Sequence, residues 1–100
     1  MKIETYTKKY IDKEFKHTAN LDLKKFEKFI FELKKIKSRK KKVILVGNGG
    51  SAAMSSHVSV DLTKQCGIRA INFNEADLIT CFANDYGHDN WMKEAIKKYK

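Results

Sequence analysis

His57 and Asp61 stand four positions apart, the spacing that lays an imidazole and a carboxylate on one face of a helix. Such a pair can move a proton, one group acting as base and the other as electrophile, or it can hold a divalent metal ion. The same spacing also describes an exposed helical ion pair worth about 0.3–0.5 kcal/mol. The stretch just before it turns the balance towards chemistry. Gly47-Asn48-Gly49-Gly50-Ser51 follows the aliphatic run Val43-Ile44-Leu45-Val46 and leads into Ala52-Ala53-Met54-Ser55-Ser56. A buried strand therefore passes through a glycine turn into a helix. Backbone N–H groups are left free at that junction, and the helix dipole adds its positive end, which suits a phosphate. A tight turn with no ligand is the plain alternative for these glycines.

The glycine pattern narrows the ligand. A Walker A loop needs Lys and then Ser or Thr after its last glycine, and Gly50 is followed by Ser51-Ala52. A dinucleotide fingerprint also wants an acidic residue at the end of the next strand, and Ile68–Phe73 reaches Glu75 only after Asn74. A sugar phosphate fits the turn better than a nucleotide does.

The run Gly47-Asn48-Gly49-Gly50-Ser51-Ala52-Ala53, His57 six residues after Ser51, the acid four beyond it, and Ala83-Asn84-Asp85-Tyr86-Gly87 downstream together resemble the sugar isomerase (SIS) domain family. Within it they are most similar to the phosphoheptose isomerases. The resemblance runs from about Val43 to Lys100. It implies a flavodoxin-like α/β sandwich and an aldose–ketose isomerisation of sedoheptulose 7-phosphate to D-glycero-D-manno-heptose 7-phosphate, for lipopolysaccharide or capsule. It further implies zinc ligation at His57 and Asp61, and substrate contacts at Asn48, Gly49, Gly50, Ser51, Asp61, Asn84 and Asp85. Asp61 falls where the family usually carries a glutamate that binds metal and acts as base. Aspartate keeps the acid but is one methylene shorter, and a misplacement of about 1 Å can cost ~100-fold in rate. The family also implies a homotetramer with N-terminal helices at its centre. A rival function comes from the same group: a non-catalytic SIS binding module, one of which associates with a replication initiator. That relative has no acid at the position of Asp61, so the carboxylate favours chemistry.

Composition sets outer bounds. One hundred residues, 42% of them hydrophobic, suffice for one small domain with a modest core. No apolar run approaches membrane-spanning length and the lysine-rich start lacks a signal-peptide core, so the cytoplasm is the expected location. Cys66 and Cys81 lack a C-x-x-C spacing and read as reduced, partly buried thiols. The formal charge of +9 is concentrated in Lys34-Lys35-Ile36-Lys37-Ser38-Arg39-Lys40-Lys41-Lys42. Such a run can neutralise phosphates along a nucleic-acid backbone. With no nucleic-acid motif beside it, a solvated helix end is the expected reading.

The elements that must carry these residues follow from periodicity. Residues 2–18 predict a helix with Ile3, Tyr6, Tyr10 and further aromatics on one side. Asn20 or Asp22 can cap a second helix in which Leu23, Phe26, Ile30 and Leu33 recur. Residues 1–41 form a helical hairpin in this reading, with an apolar stripe suited either to the chain's own core or to another subunit. Residues 42–100 form the first part of the SIS domain: strand 43–46, helix 51–66, strand 68–73, a helix 75–83 broken by Asn84-Asp85-Tyr86-Gly87, and a last helix capped by Asp89 or Asn90. Gly67 falls at a helix C-cap. Met54, Trp91 and the N-terminal aromatics read as core or interface, and His17 and His88 as surface. Two parallel strands leave a doubly wound sheet incomplete, so the chain reads as the N-terminal part of a longer protein that is inactive alone. A free-standing mini-domain is the alternative.

Overall fold

Helix caps and glycines punctuate the chain into seven elements in the computed structural model, which describes Met1–Lys100. They are α1 (Ile3–Ala19), α2 (Leu23–Ser38), β1 (Lys42–Leu45), α3 (Gly50–Lys64), β2 (Arg69–Asn72), α4 (Ala76–Tyr86) and α5 (Trp91–Tyr99). The fold is an N-terminal helical hairpin followed by a small open parallel sheet flanked by helices, the predicted α/β class. By compactness the chain divides within α2, into Met1–Phe31 and Glu32–Lys100.

In the first unit, Asp22 ends the turn between the helices. Its Oδ1 accepts from the N–H groups of Lys24 (3.1 Å) and Lys25 (3.2 Å), filling two of the donors that a helix start leaves open. Tyr6 stacks on Tyr10 at 6.4 Å and Phe26 tilts against Phe29 at 6.5 Å, one helical turn apart in each case. Yet every residue from Met1 to Phe31 is exposed. Phe15 keeps 72% of its surface and Phe29 58%, so the apolar side chains of this unit form no core of their own.

The second unit is built on one parallel strand pair, in register from Lys42↔Arg69 to Leu45↔Asn72. Side chains alternate between the two faces of a strand, and here the faces differ in kind. Ile44, Ile71 and Phe73 join Trp91 and Ala95 in the core, with Leu78, Ile79, Phe82, Ala83, Met92 and Ile96 packed around them. Helices α4 and α5 therefore cover that face. Asn72, between Ile71 and Phe73, turns the other way and meets α3 through Ser59. Phe73 is 2% exposed and its ring lies 5.1 Å from that of Tyr99.

Three expectations are corrected here. Helix α4 does not break at Asn84; it runs on through Asn84 and Asp85 to Tyr86 and stops at Gly87, whose φ is +84°. The packing of Phe82 on Tyr86 across one turn, at 5.5 Å, outweighs the turn preference of Asn and Asp. Of the core-or-interface reading of Met54 the core half falls: it is exposed, because α3 turns its serines rather than Met54 to the sheet. Cys66 and Cys81 are free and exposed rather than partly buried.

Helix α2 ends in a Schellman motif. Lys41 N–H donates to Ile36 O and Lys40 N–H to Lys37 O, both at 3.0 Å, with Lys40 at φ +53°. Glycine is the usual residue at such a left-handed position, where a Cβ costs about 1–2 kcal/mol. Lys40→Gly should accordingly stabilise the chain by up to about 1 kcal/mol, read as a higher urea midpoint at unchanged slope.

Candidate functional site

The turn after β1 gets its shape from two glycines. Gly49 sits at φ +58°, ψ −123°, a backbone region open mainly to glycine. Gly47 is needed for space instead. A Cβ there would overlap the backbone of Ser51 and come within 2.7 Å of Ala52 N, so the first turn of α3 can lie against the strand end only where there is no side chain. The turn closes through Ser51 N–H to Asn48 O (3.2 Å) and Ala52 N–H to Gly49 O (3.0 Å). Gly49 and Gly50 N–H have no acceptor within the chain. They are exposed at the carboxyl end of a parallel strand, where ligands of open α/β sheets collect. Gly50 and Ser51, predicted on the turn, are the first two residues of α3.

A polar network that sequence reading missed holds this turn in place. The Asn74 amide donates to Ala52 O (2.7 Å) and Ser56 Oγ (2.6 Å), with Ser55 Oγ at 3.3 Å. Asn74 is itself fixed by its N–H to Asn72 Oδ1 (3.0 Å), and Asn72 Nδ2 donates to Ser59 Oγ at 2.9 Å. Ser55 and Ser59 are buried, and no buried side-chain polar atom lacks a partner. The network has a sequence signal. Serines 55 and 59, four apart on one helix face, match asparagines two apart, Asn72 at the end of β2 and Asn74 just past it.

His57 and Asp61 do come together. His57 Nε2 lies 3.4 Å from Asp61 Oδ2, with the side chains 80% and 54% exposed. They occupy the solvent side of α3, away from the buried serines, and His57 stands about 10 Å along the helix from Gly50 at ~1.5 Å per residue. Asn84 and Asp85 are likewise exposed and meet each other, Asn84 Nδ2 to Asp85 Oδ1 at 3.1 Å, with Cys81 Sγ 3.8 Å from Asp85 Oδ2. No hydrogen bond or ion pair links these three groups, so the chain presents a turn, a His–Asp pair and an Asn–Asp pair as separate features. His57 and Asp61 supply two donors of the type zinc takes, and no cluster of three or more such residues forms. A zinc site usually needs three or four protein ligands.

Comparison with known proteins points one way. The phosphoheptose isomerase of Fusobacterium nucleatum is 32% identical over 81 residues, covering 76% of this chain and 42% of that protein. The probable phosphoheptose isomerase of Thermoplasma acidophilum is 33% identical over 89 residues, covering 82% and 48%. This chain is similar to phosphoheptose isomerases. A Helicobacter pylori phosphoheptose isomerase adds 37% identity over 62 residues, 56% of this chain and 32% of that one. The chain thus spans less than half the length of the curated relatives it matches. No protein-family model and no solved structure matches it. A match covering 76% of 100 residues cannot avoid positions 25–76, so the matched segment spans the positions of the glycine turn, His57 and Asp61.

Two substitutions test the architecture of the turn. Gly47→Ala should destabilise the chain by about 1–3 kcal/mol, the usual cost of forced overpacking, measured by urea unfolding. Asn74→Asp removes the N–H donors while keeping the shape, and faces a carboxylate with Ala52 O. It should cost a similar ~1–3 kcal/mol and speed amide exchange in α3 before it does so in α5.

Proposed function

We propose that the protein is a sugar-phosphate aldose–ketose isomerase of the phosphoheptose type, converting sedoheptulose 7-phosphate to D-glycero-D-manno-heptose 7-phosphate for lipopolysaccharide or capsule. The observation that supports it most is the recurring similarity to phosphoheptose isomerases across the segment that carries the glycine turn and the His57–Asp61 pair.

Each group has a task in that reaction. The free N–H groups of Gly49 and Gly50, with the Asn48 and Ser51 side chains, receive the phosphate or hydroxyl oxygens and fix the sugar's register. Isomerisation moves a proton between neighbouring carbons through an enediol. Asp61 takes the proton from the carbon beside the carbonyl and returns it to the former carbonyl carbon. His57, 3.4 Å from the Asp61 carboxylate, orients it. Both are also the residues that would hold zinc, whose chemistry would be to polarise the carbonyl oxygen. Asn84 and Asp85 contact sugar hydroxyls in this reading. The exposed aromatic stripe of α1 and α2 is the surface through which the protein assembles as a homotetramer.

The test is turnover of sedoheptulose 7-phosphate by the full-length protein, with zinc measured in the same preparations. His57→Ala should abolish both zinc binding and turnover. Asp61→Glu should keep or raise turnover by restoring reach. Unchanged rates in His57→Ala would overturn the catalytic assignment and favour a non-catalytic SIS binding module.

A further inference from the structure

The lysine run is largely exposed, as a solvated helix end should be, yet its last three residues are also drawn together. Helix α2 stops at Ser38, and the cations beyond it converge. Lys40, Lys41 and Lys42, with Arg69 from β2, Lys100 and the apolar side of Ile44, line a cavity of about 520 Å³. No carboxylate side chain lines it. The register pair Lys42↔Arg69 places it at the amino end of the sheet, at the opposite end of β1 from the glycine turn, whose first residue is about 16 Å away at ~3.3 Å per strand residue.

Three features mark this as a built site. Arg69 Nη1 donates to Lys40 O at 3.1 Å, which holds the guanidinium at the rim and lowers the ordering cost of binding. None of Lys40, Lys41 and Lys42 makes an ion pair, and no acidic side chain lines the cavity to offer one. Lys40 also occupies a left-handed backbone position that glycine would fill at lower cost. Like charges held around one concavity repel, and a multiply charged anion relieves that repulsion for several at once.

We propose that the amino end of the sheet binds a compact oligophosphate, either a short inorganic polyphosphate or the phosphate chain of a nucleotide. The cavity has the size of a small-molecule site. No aromatic side chain lines it, so it lacks the stacking platform on which single-stranded nucleic acids are held.

Isothermal titration of the chain with inorganic tripolyphosphate at fixed ionic strength tests this. The expected result is one site per chain, with binding at least 10-fold weaker in Lys40→Gln/Lys41→Gln/Lys42→Gln. The control Lys9→Gln/Lys13→Gln/Lys16→Gln removes the same charge from the exposed α1 surface and should bind as the parent does. Lys40→Gly should weaken binding while raising the unfolding midpoint, a pairing that general loss of structure cannot produce. In the unmodified chain, tripolyphosphate should slow acylation of Lys40, Lys41 and Lys42 relative to the α1 lysines. A nucleoside triphosphate binding 10-fold tighter than tripolyphosphate would identify the nucleotide source, and equal affinities the inorganic one. Equal losses in the two triple variants, absence of saturable binding, or a single-stranded oligonucleotide that tripolyphosphate cannot displace would overturn the proposal.

Discussion

The side-chain amide of Asn74 fixes the first turn of α3 against the end of β2, and the rest of the candidate site depends on that attachment. Its bonds to Ala52 O and Ser56 Oγ hold the segment whose N–H groups open onto the carboxyl end of the sheet. The bare Cα of Gly47 lets the same segment approach β1. A hydrogen bond in a water-poor interface is modest in net worth but costly to leave unmade. A contact that tolerates no side chain allows little sliding. Between them they set where α3 starts and which of its faces looks outward, and so where His57 and Asp61 project.

The two faces of the sheet are held by different forces. Helices α4 and α5 pack through an apolar cluster around Phe73, Trp91 and Ala95, which is non-directional and tolerant of small shifts. Helix α3 packs through serines and asparagines whose geometry is directional. Directional bonds specify a register that oily contacts leave loose. The polar face is the one beside the glycine turn, where register matters most for receiving a ligand. At the other end of α3, Lys37 Nζ donates to Cys66 O at 2.6 Å and Gly67 takes φ +61°, so both ends of the helix are anchored.

Charge is divided as sharply as packing. The carboxyl end of the strands offers neutral backbone donors, with the exposed His–Asp pair further along α3. The amino end gathers lysines and an arginine without carboxylate side chains. Neutral N–H groups suit the selective reception of a single phosphate or hydroxyl group, while a cluster of ammonium groups answers to total negative charge. The short sheet thus presents two chemically distinct ends.

Residue types and spacing in the sequence were enough to determine the order and kind of the elements, since caps, glycines and apolar periods act locally. Asp22 and Asn90 sit at the boundaries expected of them, while Gly67 lies two residues past Gln65, the C-cap of α3. The i, i+4 spacing of His57 and Asp61 likewise made their meeting legible, because helix geometry alone decides it. Tertiary structure decided what local rules cannot reach. The serines of α3 became the buried face because two asparagines distant in sequence supply their partners. The lysine run became one wall of a cavity only when β2 brought Arg69 beside it. Each of these outcomes rests on contacts between residues far apart along the chain, which composition and spacing do not encode.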